Sequence, residues 1–122
     1  MKDIIISLSA ETNDVKLNKT EMGIAGENLQ RKFIVEFVDE FVDGTATLEY
    51  KKKSGAKGTI ALTKGDKEYS AYVVSELMNE QNEVKFQVKI VQATTEAGTP
   101  IYKSKIFKLG VGEGITATEE IV

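Results

Sequence analysis

The sequence predicts an all-β fold, with an antiparallel β-sandwich of about seven or eight strands as the first choice and a small barrel as the second. Three observations predict it. Apolar and polar residues alternate with a period of two in several segments, and short glycine-containing clusters separate those segments. No stretch of about a dozen residues has the period of a helix.

The clearest strand lies in residues 83–92. Its apolar side chains alternate with polar ones, which places them together on one face of a strand. These apolar residues are Val84, Phe86, Val88 and Ile90. We expect that face to be buried and the opposite face, with Lys85 and Lys89, to meet solvent. A strand covered on one side only is typical of a sandwich.

The N-terminal part predicts an opening strand in residues 3–9 and a brief extended piece in residues 15–17. The long segment 29–38 differs, because apolar residues occupy both of its faces. One face carries Phe33, Val35 and Phe37. The other carries Ile34 and Val38, a pattern typical of a strand covered on both sides or of one whose outer face meets a partner. We therefore single out Ile34 and Val38 as candidate partner-docking residues.

The middle of the chain predicts a hairpin from residues 45–53 and 59–63, joined by a glycine turn. Residues 68–74 predict the next strand in either of two phases. The last long segment, 101–111, changes phase, because its first apolar residues fall on one parity and its last ones on the other. One extra residue resolves the conflict, so we expect a β-bulge near residues 105–107.

The chain of 122 residues has the usual length of one domain. We expect the β-sandwich domain to occupy residues 1–111 and residues 112–122 to form an exit segment or linker, since that segment is rich in Gly, Thr and Glu. No apolar run approaches the roughly 20 residues that cross a bilayer. We expect no membrane partner.

Catalytic chemistry has few candidates, because the chain contains no histidine and no cysteine. Serine and cysteine nucleophiles paired with histidine, and the usual zinc sites, are thereby excluded. The best carboxylate cluster is Asp39, Glu40 and Asp43, which fits either a calcium or acid/base site or a solvated turn. The spacing of an EF-hand loop is missing, which favours the turn. We predict no catalytic residue, no cofactor and no metal ligand, and hence not an enzyme.

A lysine cluster at the end of the predicted hairpin could form an anion-binding patch. It consists of Lys51, Lys52, Lys53 and Lys57. Alternation sends Lys52 to the opposite side from its neighbours, and charges at a hairpin end also prevent edge-to-edge pairing of sheets. The net charge of -3 and the pI near 5.1 disfavour nucleic acid. We therefore expect no nucleic-acid partner.

Sugar binding is a second hypothesis, because β-sandwiches often bind carbohydrate through exposed rings. The chain has no tryptophan, and most of its tyrosines and phenylalanines lie in alternating segments where burial is expected. Tyr69, Tyr72 and Tyr102 are the candidate exposed contacts. The alternative function is therefore a bacterial surface or secreted domain that binds a carbohydrate or a protein.

The order of the segments carries a resemblance to a known family. The segments are the Gly26-Glu27 turn, Leu48-Glu49-Tyr50, Ile60-Ala61-Leu62-Thr63, Tyr69 to Val74, Val84-Lys85-Phe86-Gln87-Val88 and the closing residues 103–109. In this order the chain resembles the N-terminal immunoglobulin-like module of phage and prophage baseplate upper proteins and related tail-associated proteins of Gram-positive bacteria. The likeness covers roughly residues 4–115 and is one of strands and turns.

The resemblance implies an immunoglobulin-like sandwich with a structural role. Such a module anchors a larger protein in the virion tail, after synthesis in the bacterial cytoplasm, by docking to other tail or baseplate proteins. A homo-oligomer is kept as a further alternative for the partner. The resemblance brings no catalytic residue, and the bacterial cell surface remains the alternative location.

Overall fold

The computed structural model describes residues 2–79 and 82–113. In these residues every regular element is a β-strand. The strands are β1 (Ile4–Leu8), β2 (Val15–Leu17), β3 (Glu21–Ile24), β4 (Lys32–Phe37), β5 (Thr45–Lys52), β6 (Lys57–Ala61), β7 (Thr63–Lys64), β8 (Glu68–Tyr72), β9 (Glu83–Val91), β10 (Ile101–Lys103) and β11 (Phe107–Gly112). None of the described segments is a helix of the length and hydropathy needed to cross a membrane.

The strands form two sheets that face each other. Sheet 1 has the order β2-β1-β4-β8-β7, and sheet 2 has the order β3-β11-β9-β5-β6, with β10 also paired to β9. The predicted all-β sandwich is confirmed.

The structure differs from the prediction in strand direction and strand number. β1 pairs with β4 in parallel, and so does β3 with β11, so both sheets are mixed. Parallel strands begin at the same end of a sheet, so the chain must cross back between them. The segment between β1 and β4 is long enough to do so. The described residues form eleven strands rather than the predicted seven or eight, because the short β3 and β7 are additional and the last strand is divided in two.

The core lies between the sheets, where the two inward faces meet. Val84, Phe86, Val88 and Ile90 of β9 are at most 2% exposed, which confirms the predicted inward face. Phe86 is central, since its ring centroid lies 5.6 Å from those of Phe33 in sheet 1 and Phe107 in β11. Of the two phases predicted for this strand, β8 has the one that places Tyr69 in the core. Tyr72 points to the other face and is half exposed.

The β5–β6 hairpin is confirmed. A turn joins its strands, in which the Gly55 N–H donates to the Lys52 carbonyl over 2.9 Å. Gly55 has a φ of 99°, which glycine adopts without the steric cost of a Cβ. Lys52 points inward, opposite to Lys51, as alternation predicts.

The predicted β-bulge is also confirmed. Tyr102 lies opposite Ile90, and Phe107 lies opposite Phe86, so the chain advances five residues while β9 advances four. Tyr102 is buried before the irregularity, and Phe107 after it. Ile106 is 64% exposed, because the inward side has already changed at that point.

The boundary predicted between residues 111 and 112 falls inside the last strand. β11 continues to Gly112, which pairs with Ile24 of β3. The rest of the predicted exit segment, residues 114–122, lies outside the described residues.

Candidate functional site

The two candidate docking residues lie on the outer face of sheet 1. Ile34 is half-buried between Ile5 of β1 and Ser70 of β8, its direct neighbours across the sheet. Val38 follows the end of β4 and is 69% exposed. Exposed Glu36 lies between them in sequence, on the same face. The structure therefore brings Ile34 into a small apolar pair with Ile5 and leaves Val38 separate from that pair.

An aromatic side chain borders this pair. Tyr72 of β8 is 50% exposed and lies opposite Lys32 of β4. The Lys32 Nζ lies 4.9 Å from the centroid of the Tyr72 ring, within the range of a cation–π contact. The outer face of sheet 1 is thus mixed, with an apolar middle and charged groups around it.

The two aspartates of the acidic cluster have partners within the fold. The Asp39 carboxylate accepts hydrogen bonds from the Ala10 N–H and from the Ser9 hydroxyl, each over 2.8 Å. These bonds hold the pKa of Asp39 well below its ordinary value. Asp43 forms an ion pair with Lys64 instead. Over residues 2–79 and 82–113, no three carboxylates come close enough to hold a metal ion.

Two of the three tyrosines considered as exposed sugar contacts are buried, so that part of the prediction is wrong. The Tyr69 hydroxyl donates to the Val42 carbonyl, and the Tyr102 hydroxyl donates to the Ser9 carbonyl, both over 2.8 Å. Burial, with the Asp39 and Asp14 charges, raises the pKa of Tyr102 to about 12. Of the three rings, Tyr72 alone keeps a half-exposed face.

Four lysines from four neighbouring strands line up on the outer face of sheet 2. Lys51 of β5 lies directly opposite Lys57 of β6 on one side and Lys85 of β9 on the other. Lys85 in turn lies opposite Lys108 of β11. We call these four residues the lysine row. Strands are about 4.8 Å apart, so the row extends about 14 Å across the sheet.

The positive charge of the row is not neutralised within the described part of the chain. None of its four ammonium groups has a carboxylate oxygen within salt-bridge distance there. Glu49, the next outward residue of β5, has its Oε1 3.6 Å from the Nζ of Lys103 instead. Like charges directly opposite each other on a sheet are destabilising. The row therefore carries a local energetic cost.

Two open clefts border the row. A cleft of about 350 Å³ lies beside Lys51, Lys85 and Lys108, and Lys53 also lines it. A groove of about 380 Å³ on the other side is lined by Thr59 and Gln87, together with Glu49, Ile106 and part of the row. The neighbouring Lys52 points into the sandwich, where its Nζ donates to the Asn79 Oδ1 over 3.0 Å.

Sequence reasoning identifies half of the row. Lys51 and Lys57 stand out as part of a cluster, whereas Lys85 is one solvent-facing residue of an alternating strand and nothing local distinguishes Lys108. The available signal is that all four occupy polar positions of alternating segments. Only the pairing register places them side by side.

Comparison of the sequence with protein-family models and with curated protein sequences gave no match in either case.

Proposed function

We propose that this chain is a non-enzymatic structural module of a phage or prophage tail or baseplate, docking to another tail protein through the outer face of sheet 1. The observation that carries the proposal is on that face: Ile34 and Ile5 are direct neighbours, and Val38 beyond them is 69% exposed. A sandwich that meets only water normally makes its outer faces polar. The virion tail is the corresponding location.

The strand order supports the immunoglobulin-like arrangement on which this proposal rests. The orders β4-β8-β7 and β11-β9-β5-β6 correspond to strands B-E-D and G-F-C-C′ of the immunoglobulin sandwich. The parallel pairing of β1 with β4 departs from a wholly antiparallel first sheet. A second difference is β2, which pairs antiparallel with the other side of β1 and forms the edge of sheet 1.

The mixed character of the face fits a protein partner. Interfaces commonly combine an apolar centre with a polar rim. Here Ile5 and Ile34 form the centre, and Tyr72, an aromatic residue type enriched at interfaces, lies beside them with Lys32. Without histidine or cysteine the nucleophile–base pairs that use these residues cannot form, which fits the proposed non-enzymatic role.

The test is binding to the tail proteins encoded beside this gene. The variant Ile34→Thr with Val38→Glu changes the proposed face with little demand on the core, because Ile34 is half-buried and Val38 is exposed. Its matched control is Ile101→Thr with Ile106→Glu, since both residues are exposed and belong to sheet 2 or its bulge. We expect the first variant to lose a tail-protein partner with an unchanged melting temperature and the control to retain it. Retained binding in the first variant refutes docking at this face.

A further inference from the structure

We propose that the lysine row binds a linear polymer that carries phosphate groups in its backbone. This site lies on sheet 2, on the opposite side of the sandwich from the proposed protein-docking face. It is therefore independent of the function proposed above. The recognised feature is a line of negative charge that crosses the strands from β6 to β11.

The geometry of the row points to a linear ligand. Its four ammonium groups come from cross-strand neighbours, so they follow one line across the sheet. The adjacent line of outward residues contains Thr59, Glu49 and Gln87 and no lysine. On that side the positive strip ends at the row. Each lysine has a flexible stem, which lets its charge follow the spacing of a bound chain.

The residue types favour phosphate over the surface of an acidic protein. Lysine binds phosphate as a compact point charge. It is depleted in the centres of protein–protein interfaces, where its hydration is lost. Repulsion along the row, unrelieved by any described carboxylate, gives an anion with several charges an advantage over a single one.

The same face offers little for reading nucleic-acid bases. Proteins that bind single strands commonly stack bases on exposed aromatic rings. The aromatic side chains of β5, β9 and β11 are Tyr50, Phe86 and Phe107, and all three are buried. A nucleic acid bound here would contact the row through its phosphates alone, without base preference.

The clefts on both sides define the path of the ligand. The cleft beyond Lys51 and Lys85 adds one further ammonium group, that of Lys53, and one carboxylate, that of Glu83. The groove on the other side presents the Thr59 hydroxyl, a neutral donor, and the Glu49 carboxylate, while the Gln87 amide donates to the Ser104 carbonyl. A polyanion lying on the row therefore has a further donor on each side, Lys53 or Thr59, and a carboxylate on each side whose repulsion confines it to the row.

The experiment measures binding of fluorescent inorganic polyphosphate by anisotropy, with unlabelled polyphosphate, oligo-dT, orthophosphate and polyglutamate as competitors. The test variant is Lys51→Gln with Lys85→Gln. Its matched control, Lys16→Gln with Lys32→Gln, removes the same charge from the outer face of sheet 1. Circular dichroism and melting temperature verify that both variants are folded.

We expect polyphosphate to bind with an affinity that falls steeply with salt. For four lysine contacts the slope of log K against log salt is about −2.8 by analogy with single strands, and the test variant halves it. We expect the variant to lose about tenfold or more in affinity at low salt, with the control within about twofold of wild type. Competition by oligo-dT, weaker or stronger than that of polyphosphate, then identifies which phosphate polymer is preferred.

Three results would overturn the proposal. The first is a test variant that binds polyphosphate as tightly as the control variant does. The second is competition by orthophosphate at the same phosphate concentration, which would mean that the line of charges is not used. The third is competition by polyglutamate as strong as that of polyphosphate, which would indicate an acidic protein partner instead.

Discussion

At the scale of the residue, burial decides what each polar side chain does in this sandwich. Tyr69 and Tyr102 are nearly fully buried, and each hydroxyl donates to a backbone carbonyl outside its own strand. Lys52 is 7% exposed and donates to Asn79. A buried polar group without such a partner would cost about 1–3 kcal/mol. The hydrogen bonds of these side chains therefore hold loops against the core.

Phe86 is the residue whose truncation should harm the fold most. It is 1% exposed, and its ring meets rings from β4, β5 and β11. We expect Phe86→Ala to lower the free energy of unfolding by about 3–5 kcal/mol, because the loss of buried apolar surface and the cavity left behind both destabilise the fold. The neighbouring change Lys85→Ala should alter it by well under about 1 kcal/mol. Urea melts of both variants decide the matter, and equal losses would show that the inward face is misassigned.

Tyr102 gives a prediction for alkaline pH. Its pKa is about 12 in the folded protein, against an ordinary value of 10.0, so the folded state holds this proton more tightly than the unfolded state. Stability from this residue is present below pH 10 and is lost as the pH rises towards 12. We expect the free energy of unfolding, measured in urea at about pH 8, 10 and 11, to fall less steeply for Tyr102→Phe than for wild type. Parallel pH profiles would contradict the shifted pKa.

At the scale of the element, the bulge lets the last chain segment keep its apolar side chains in the core although their alternation changes phase. β10 and β11 both pair with β9, and Ser104 lies between them. Its hydroxyl accepts the Val88 N–H over 3.0 Å, and its carbonyl accepts the Gln87 amide over 2.8 Å. These bonds replace ladder contacts that the extra residue interrupts. The bulge is thus held by specific contacts of the serine.

The variant Ser104→Ala tests this role. Ser104 is 2% exposed, and its loss leaves the Val88 N–H without its side-chain acceptor. We expect the free energy of unfolding to fall by about 1–3 kcal/mol. Ser54→Ala in the exposed β5–β6 turn is the control and should change it by about 0.5 kcal/mol or less. A Ser104→Ala protein as stable as the control would mean that the bulge is held by its backbone alone.

Across the whole molecule, like charges lie side by side on both outer faces. The chain has a net charge of -3, yet the outward positions of sheet 2 gather many of its lysines. On the outer face of sheet 1, Glu36 lies directly opposite Glu68. Both arrangements place like charges side by side, which costs stability locally. Surfaces kept at such a cost are candidates for binding.

Removing positive charge from the lysine row should therefore stabilise the fold. We expect Lys51→Gln with Lys85→Gln to raise the free energy of unfolding by up to about 1 kcal/mol at low salt, because adjacent ammonium groups repel. In roughly 1 M salt, where the screening length is about 3 Å, the gain should shrink. Urea melts at the two salt concentrations test this. A destabilised variant at low salt would show that the row contributes to folding.

The class of fold, the inward face of β9 and the position of the bulge follow from patterns in the sequence alone. These features are local, since the period of two and a change of its phase are visible within one segment. The same local period places Ile34 and Val38 on one face. The absence of histidine and cysteine likewise excludes whole groups of active sites, because those chemistries need these residue types whatever the fold.

Which segments pair, and in what register, depends on the packing of the whole fold. The parallel pairing of β1 with β4, the contact of Ile34 with Ile5, and the burial of Tyr69 and Tyr102 all depend on distant strands. The lysine row is the strongest case, because a slip of one residue in one strand would send its lysine to the other face. Register follows from packing of the whole core, so no single segment encodes it.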